Sequence, residues 1–282
     1  MYAFAYHRPQ SLADAAHLLA SHKEAKLLAG GHTLIPTMKQ RLADPKALVD
    51  LSAIAELRGI ARRGNALVIG AMVSHDEVAK AGEVRSAIAG LSELAGGIGD
   101  PHVRNRGTIG GSLANNDPAA DYPAAALALA ASIVTNRREI KADDFFTGLF
   151  STALQDGEII ARVSFPIPDK FAYVKFPNPA SRYALVGVAV ARTGGDVRVA
   201  VTGAGRNGVF RHRGIEGALA GGGSAQALAN VATNAADMMS DIHGDAAYRA
   251  HLVGVLARRA LAASPWMSLI MSAALVATLA SA

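Results

Sequence analysis

The sequence predicts an α+β protein built in two parts, and three observations predict it. Short apolar runs bounded by glycine, proline or asparagine alternate with segments of helical period through the first part of the chain. Two prolines then break the pattern in "KFPNPASR", residues 175–182. Beyond them, two long β-like runs come first and two helix-like runs follow. The chain has 282 residues, 51% of them hydrophobic, which is enough for two cores.

In order along the chain, "SLADAAHLLASH" places Leu12, Ala15, Ala16, Leu18 and Leu19 at helical spacing behind Ser11, a plausible N-cap. "AKLLAG" reads as a short buried strand stopping at Gly30, and "TLIPTMKQRLA" as a short helical turn. "ALVDLSAI" and "ALVIGAMV" are β-like, with a turn around Gly64 and Asn65. In "SHDEVAKA", Ser74 and Glu77 stand at the spacing of a capping box. "EVRSAIAGLSELAGGIG" predicts a helix ending at Gly96 and Gly97. "DYPAAALALAA" predicts a helix with Pro123 near its start. "SIVTNRREIKADDFF" reads as strand, turn and a second strand or helix start, and "EIIARVSFPIP" as a strong strand. In the second part, "YALVGVAVART" and "DVRVAVTGAG" are strands, whereas "AQALANVATNAADMMS" and "YRAHLVGVLARRAL" are helices.

Composition removes several kinds of chemistry. Cysteine is absent, so this chain can build no disulfide, thiolate nucleophile, zinc–thiolate site or ordinary iron–sulfur cluster. The net charge is +5, but the only close basic pairs are Arg62 with Arg63, Arg137 with Arg138 and Arg258 with Arg259. With no aromatic-studded basic stripe, nucleic-acid binding is not expected. Asp117 and Asp121 in "NNDPAAD" are too few and too far apart for a hard-cation loop. The N-terminus lacks the basic region and solid apolar run of a signal peptide. From Ala260 to Ala282 no residue is charged. "PWMSLIMSAALVATLASA" would span roughly 26 Å as a helix, just short of a bilayer core of about 30 Å. A terminal helix on a neighbour, a loose tail and a weak membrane anchor are the readings of that segment.

Two stretches carry the function. "LLAGGHTLIP", residues 27–36, and "RGTIGGSLAN", residues 106–115, each run an apolar stretch into Gly-Gly and then into hydrogen-bonding residues. Glycine lets backbone approach a ligand closely. A strand that ends in Gly-Gly and enters a helical turn leaves N–H groups facing outward, and these bind phosphate oxygens. Thr33, Thr108 and Ser112 add hydroxyls beside them. Neither stretch is the Rossmann or the P-loop fingerprint. Two such loops in one domain would hold a pyrophosphate from both sides, so the expected ligand is a dinucleotide in a different fold.

"LLAGGHTLIPTMKQRLADPKALVDLSAIAEL" and "GGIGDPHVRNRGTIGGSLANNDPAADYPAAALAL" resemble the FAD-binding medium subunits of the molybdenum hydroxylases. Among them, the resemblance to carbon monoxide dehydrogenase medium subunits is close and that to the FAD domains of xanthine dehydrogenase more distant. The resemblance runs from the N-terminus to about residue 262, and the apolar tail lies outside it. It implies a two-part FAD-binding domain of the vanillyl-alcohol-oxidase/p-cresol methylhydroxylase type. A smaller C-terminal domain of antiparallel sheet plus helices would follow it. The expected boundaries are 1–176, 177–264 and a tail of unknown role at 265–282.

Carried over residue by residue, the resemblance places Ala29, Gly30, Gly31, His32, Thr33 and Leu34 around the FAD pyrophosphate. Thr108, Ile109, Gly110, Gly111 and Ser112 complete the clamp. Asp121 contacts the cofactor, Ile160 flanks it, Lys175 lies near the flavin and Ile98 near the isoalloxazine ring. From the residues alone, Asp121 is equally a helix N-cap and Lys175 a solvated lysine at a strand end. His102, Arg104 and Arg106 read as a solvated basic loop, as charge compensation for the pyrophosphate or as a partner contact. A histidine after Gly-Gly carries covalent FAD in some flavoproteins of the wider superfamily. The medium subunits resembled here hold FAD noncovalently, which implies a hydrogen-bonding His32.

The implied activity is one stage of a relay. Substrate is oxidised at a molybdenum cofactor in a large partner subunit. Electrons cross two [2Fe–2S] clusters of a small partner subunit and reach FAD on this chain, which passes them to an external acceptor such as a quinone, NAD or oxygen. Carbon monoxide oxidation with quinone as acceptor is the nearest case, within a dimer of heterotrimers in the cytoplasm, with membrane contact through the tail as a variation. No catalytic side chain and no metal ligand is expected on this chain. The competing readings are a standalone FAD oxidase or reductase of the same superfamily, and a nucleotide-binding scaffold without catalysis.

Overall fold

Ser11 opens the first helix as its hydroxyl permits, accepting the Asp14 N–H at 3.1 Å. In the computed structural model, which describes residues 1–220, 223 and 225–263, that helix is α1 (Leu12–Ser21). It joins β1 (Ala5–His7) to β2 (Ala25–Leu28), and α2 (Leu34–Lys39) joins β2 to β3 (Ala47–Asp50). The three strands form a parallel sheet in the order β1-β3-β2. Parallel pairing requires such crossover helices, and the central strand β3 is buried at every position. The run "ALVDLSAI" stops being a strand at Asp50, whose carboxylate accepts the Ser52 N–H at 2.8 Å and bends the chain into 3₁₀ turns.

A second sheet is antiparallel throughout. β4 (Ile60–Arg63) and β5 (Ala66–Gly70) form a hairpin whose turn uses Gly64 at φ +60°. The chain then makes six helices before returning: α3 (His75–Lys80), α4 (Gly82–Ala87), α5 (Ala89–Gly96), α6 (Pro101–Arg106), α7 (Ile109–Asn115) and α8 (Tyr122–Ala128). Next come β6 (Ser132–Thr135), β7 (Glu139–Lys141), α9 (Ala142–Phe145), the small hairpin of β8 (Phe146–Gly148) with β9 (Ser151–Thr152), and β10 (Ile160–Pro166). The order is β4-β5-β10-β6-β7. The expected capping box at Ser74 is present in both directions. The single helix expected over 83–97 is two, because Ile88 sits at φ −145°, ψ 77° and breaks the turn. The basic stretch at 101–106 is a helix rather than a loop. Asp100 caps it by accepting Val103 N–H at 2.9 Å, and Pro101 occupies the first turn.

The third sheet contains β11 (Lys170–Pro177), β12 (Ala184–Thr193), β13 (Asp196–Thr202) and β14 (Phe210–Arg211), antiparallel in sequence order. β12 is buried at eight successive positions, Ala184–Ala191, because both its faces are covered. Val186, Val188 and Val190 pack with Leu252, Val253 and Leu256 of the last helix, α11 (Ala246–Ala263). On the opposite face Ala189, Ala191 and Ala200 join the first core, with the alanines of α8. A short helix, α10 (Arg213–Leu219), follows β14. The helix expected over 225–240 is replaced by two 3₁₀ segments, Ala225–Asn230 and Ala235–Asp237. Between them Asn234 accepts the Ala236 N–H at 3.1 Å, a local bond that competes with helix. The apolar tail lies outside the described residues. Among the described residues no helix is long and apolar enough to cross a membrane.

Arg249 ties α11 to this sheet. It is 2% exposed, donates to the carbonyls of Leu185 at 2.6 Å and Gly203 at 2.5 Å, and pairs with Asp241 at 2.7 Å. Replacing Arg249 with Ala leaves two buried carbonyls unpaired, and it should lower the unfolding free energy by about 3 kcal/mol in a denaturant titration.

Candidate functional site

The first glycine pair leaves β2 and enters α2. Gly31 takes φ +76°, a conformation that disfavours any side chain. A Cβ on Gly30 would lie 2.2 Å from the carbonyl oxygen of Arg106 and 2.8 Å from the Cα of Gly107. Glycine is required there because the two loops touch through it. Among the described residues, the N–H groups of Gly31, His32, Thr33 and Leu34 have no protein acceptor. Thr33 stands at the N-cap without a side-chain cap bond, so its hydroxyl is uncommitted to the helix.

The second glycine pair works differently from the sequence expectation. Its N–H groups are spent inside the fold: Ile109 N–H goes to Val73 O at 3.1 Å, Gly110 to Ala71 O at 2.9 Å, Gly111 to Thr108 Oγ1 at 3.1 Å and Ser112 to Thr108 O at 3.0 Å. A Cβ on Gly110 would meet Ala71 at 2.6 Å. This loop is therefore a close-packed shelf with Thr108 capping α7, and its offer to a ligand is the Ser112 hydroxyl and bare backbone surface.

Between the loops lies a cleft of about 880 Å³, at the upper end of the range for small-molecule sites. At one side Asp121 is 4% exposed and paired with Lys175 Nζ at 3.0 Å. The Tyr173 hydroxyl donates to the same carboxylate oxygen, Oδ1, at 2.5 Å, and Lys175 also reaches Oδ2 at 3.2 Å. Burial pushes the Asp121 carboxyl up, opposed by the Lys175 charge and the Tyr173 bond. Asp121 stands at the N-cap position of α8 but makes no side-chain cap bond to it, its carboxylate being taken by Lys175 and Tyr173 instead. Lys175 is no solvated strand-end lysine either: its side chain is 11% exposed, and it also donates to Gly97 O at 2.9 Å. Arg104 turns inward to the carbonyls of Ile98 and Gly99, each at 3.0 Å, and so closes its own loop. His102 and Arg106 are exposed.

His75 lines the cleft floor at 5% exposure, its ring 5.3 Å from that of Tyr122. Among the described residues, His75 Nδ1 and the Tyr122 hydroxyl are both buried without a partner. Burial, with the charges of His32 and Arg104, lowers His75 to about 4. The remaining wall is the 154–160 segment. Its shape is fixed by Glu158, which accepts Arg138 at 2.8 Å, Thr135 Oγ1 at 2.9 Å and the Gln155 N–H at 2.8 Å. These bonds, Arg138 first, hold the Glu158 carboxyl at about 2.

Thirteen of the expected residues line this one cleft: Ala29, Gly30, Gly31, His32, Thr33, Leu34, Ile98, Thr108, Gly110, Gly111, Ser112, Asp121 and Ile160. Ile109 does not; it is fully buried in the first core. Lys175 stands behind Asp121 rather than on the wall. Sequence reasoning missed His75, Glu158, Arg182 and Tyr183, all on the cleft wall. His75 opens a helix already marked by its capping box, and Arg182 sits at φ +62° in the proline-bounded turn, but no spacing in the sequence links either to the glycine pairs.

Fold and cleft together define a class: an α+β protein that brings two glycine loops, one after a strand of the parallel sheet and one between two helices, to the wall of a single cleft. Comparison with known proteins gives the family. Residues 2–168 match the FAD binding domain in molybdopterin dehydrogenase, and residues 171–264 the CO dehydrogenase flavoprotein C-terminal domain. The chain is 36% identical to the carbon monoxide dehydrogenase medium chain of Hydrogenophaga pseudoflava, over 93% of this chain and 96% of that one. It is 35% identical to the nicotine 6-hydroxylase medium subunit of Paenarthrobacter nicotinovorans, over 92% and 96%. The solved carbon monoxide dehydrogenase from Hydrogenophaga pseudoflava superposes with a TM-score of 0.86 at 37% identity, covering 93% of this chain and 97% of that one. Quinoline 2-oxidoreductase from Pseudomonas putida 86 gives 0.84 at 30% identity, covering 92% and 96%. The chain belongs to the FAD-binding medium subunits of the molybdenum hydroxylases, and it is an oxidoreductase component.

His75 gives the site an acid limit. Its folded pKa lies below its unfolded value, so below pH 6.5 the unfolded chain takes up a proton that the folded chain refuses. Stability should fall from about pH 6.5 toward 4, by up to about 3 kcal/mol. Melting temperature against pH, compared with a His75→Phe variant, checks this: the variant should lose that part of the slope.

Proposed function

We propose that this chain holds one FAD in the cleft, noncovalently, and passes electrons from [2Fe–2S] clusters of a small partner subunit to an external acceptor, of which a quinone is favoured. Substrate oxidation belongs to a molybdenum cofactor in a large partner subunit, within a dimer of heterotrimers. The carrying observation is the pair of glycine loops meeting at Gly30 over a single cleft, with unpaired N–H groups from Gly31 to Leu34 on one side. The absence of cysteine supports the division of labour, because thiolate-held clusters must come from another chain.

The residues fit a flavin dinucleotide. Backbone donors and the hydroxyls of Thr33 and Ser112 suit a diphosphate, and the glycine surfaces leave room for it. FAD, when bound, supplies the ability to take electrons singly and give them up in pairs. The protein's part is to bind and orient. Gly31 to Leu34 and Ser112 would hold the diphosphate, with His32 exposed on the wall as a hydrogen-bonding partner. Asp121, braced by Lys175, would present a fixed carboxylate to a cofactor hydroxyl or ring edge, beside Ile98 and Ile160 as apolar flanks. Nothing in this account requires a side chain of this chain to make or break a bond, so no catalytic residue is assigned.

The relatives named for carbon monoxide and for nicotine differ by a single point of identity to this chain. That is what is expected if the reducing substrate binds on a different subunit. Purification from the native host should yield a yellow-brown complex whose co-eluting subunits contain molybdenum and iron. Acid precipitation should release all the flavin into solution. A colourless chain, or full activity of the chain alone, would refute the reading. A Gly30→Val variant should keep the wild-type far-UV circular dichroism while binding FAD at least about 100-fold more weakly, since its side chain drives the loops apart.

A further inference from the structure

The segment between α7 and α8, residues 117–121, has no helix or strand of its own, yet it contributes Asp117, Ala120 and Asp121 to the cleft wall. Its backbone is held from outside the first part of the chain. Gly203 N–H donates to Pro118 O at 2.7 Å and Ala184 N–H to Ala119 O at 3.3 Å. The Thr202 hydroxyl, fully buried, lies 2.7 Å from Ala120 O and 3.0 Å from Pro118 O. The Asp121 carboxylate is then held by Tyr173 and Lys175. All these partners belong to the third sheet or its ends.

β12 is shaped to allow this. Its Gly187 pairs with Thr202 on one side and Lys175 on the other. A Cβ there would lie 2.2 Å from the Tyr173 hydroxyl and 2.9 Å from Thr202 Cγ2. The missing side chain opens a slot through which both hydroxyl-bearing side chains reach the 117–121 segment.

We propose that Tyr173 and Thr202 are positioning residues: from the third sheet they fix the 117–121 segment and the Asp121 carboxylate, and so set the affinity and electronic environment of the flavin. The inference rests on FAD occupying the cleft. It gives the C-terminal domain a direct part in cofactor binding, in addition to covering the core. Arg198 supplies the comparison. It too joins the third sheet to the first part, donating to Leu127 O at 2.9 Å and Asp143 at 2.7 Å, but it does not line the cleft.

The test uses the full complex stripped of flavin and titrated with FAD, with the visible circular dichroism and midpoint potential of the reloaded flavin as further readouts. Thr202→Val and Tyr173→Phe should each raise the FAD dissociation constant about tenfold and displace the flavin band and potential, whereas Thr202→Ser restores all three. Arg198→Ala should lower the melting temperature and leave all three readouts unmoved. Tyr173→Phe keeps the ring and its packing, so it reports even if Thr202→Val fails to fold. If both hydroxyl deletions cost only stability, as Arg198→Ala does, the positioning role is refuted while FAD binding stands. A wild-type complex that takes up no FAD refutes the proposed function and this role together.

Discussion

One contact governs the architecture: Gly30 seated on the carbonyl of Arg106, where a Cβ would come within 2.2 Å. It brings a loop from the parallel sheet against a loop from the helical segment of the antiparallel sheet. The glycine-loop side of the cleft follows from that approach. Gly107, whose own Cβ would meet His75 Nε2 at 2.5 Å, continues the packing inward to the His75 and Tyr122 pair. The two glycine loops look alike in sequence and differ in physics. In the second, the N–H groups are consumed by Val73, Ala71 and Thr108, which makes it rigid before any ligand arrives. In the first, the donors remain available, so affinity for an anion resides mainly there.

Much of this was legible in the sequence because it depends on local pattern. The cap at Ser11, the capping box at Ser74, the hairpin at Gly64 and the alternation of valine with small residues in "ALVGVAVA" all carry their structural reason within a few residues. The glycine pairs stood out in the sequence for the same reason, and the structure brings both to one cleft.

What escaped depends on contacts distant in sequence or on competition between two local rules. Asp100 and Pro101 form a cap and first turn inside a stretch whose charges suggested a loop. "AQALANVATNAADMMS" has helical composition, but the Asn234 side chain offered the backbone another partner. Ile109 belongs to a ligand motif by sequence and to the core by packing, since its neighbours face the cleft and it faces away. His75 follows β5 and Glu158 precedes β10, neighbouring strands that are far apart in sequence, so both reach the wall through a pairing that no spacing records.

The alternation in β12 has one more consequence. Its valines mesh with α11, but toward α8 it presents only glycine and alanine, and α8 answers with alanines. Such a joint contains almost no rotamers, so forming it costs little side-chain entropy and leaves few alternative arrangements to sample. Where β12 meets α8, the two halves of the molecule are consequently registered with little side-chain freedom. The polar side chains that cross the seam beside it, Tyr173, Lys175, Thr202 and Arg198, therefore start from a nearly fixed backbone spacing.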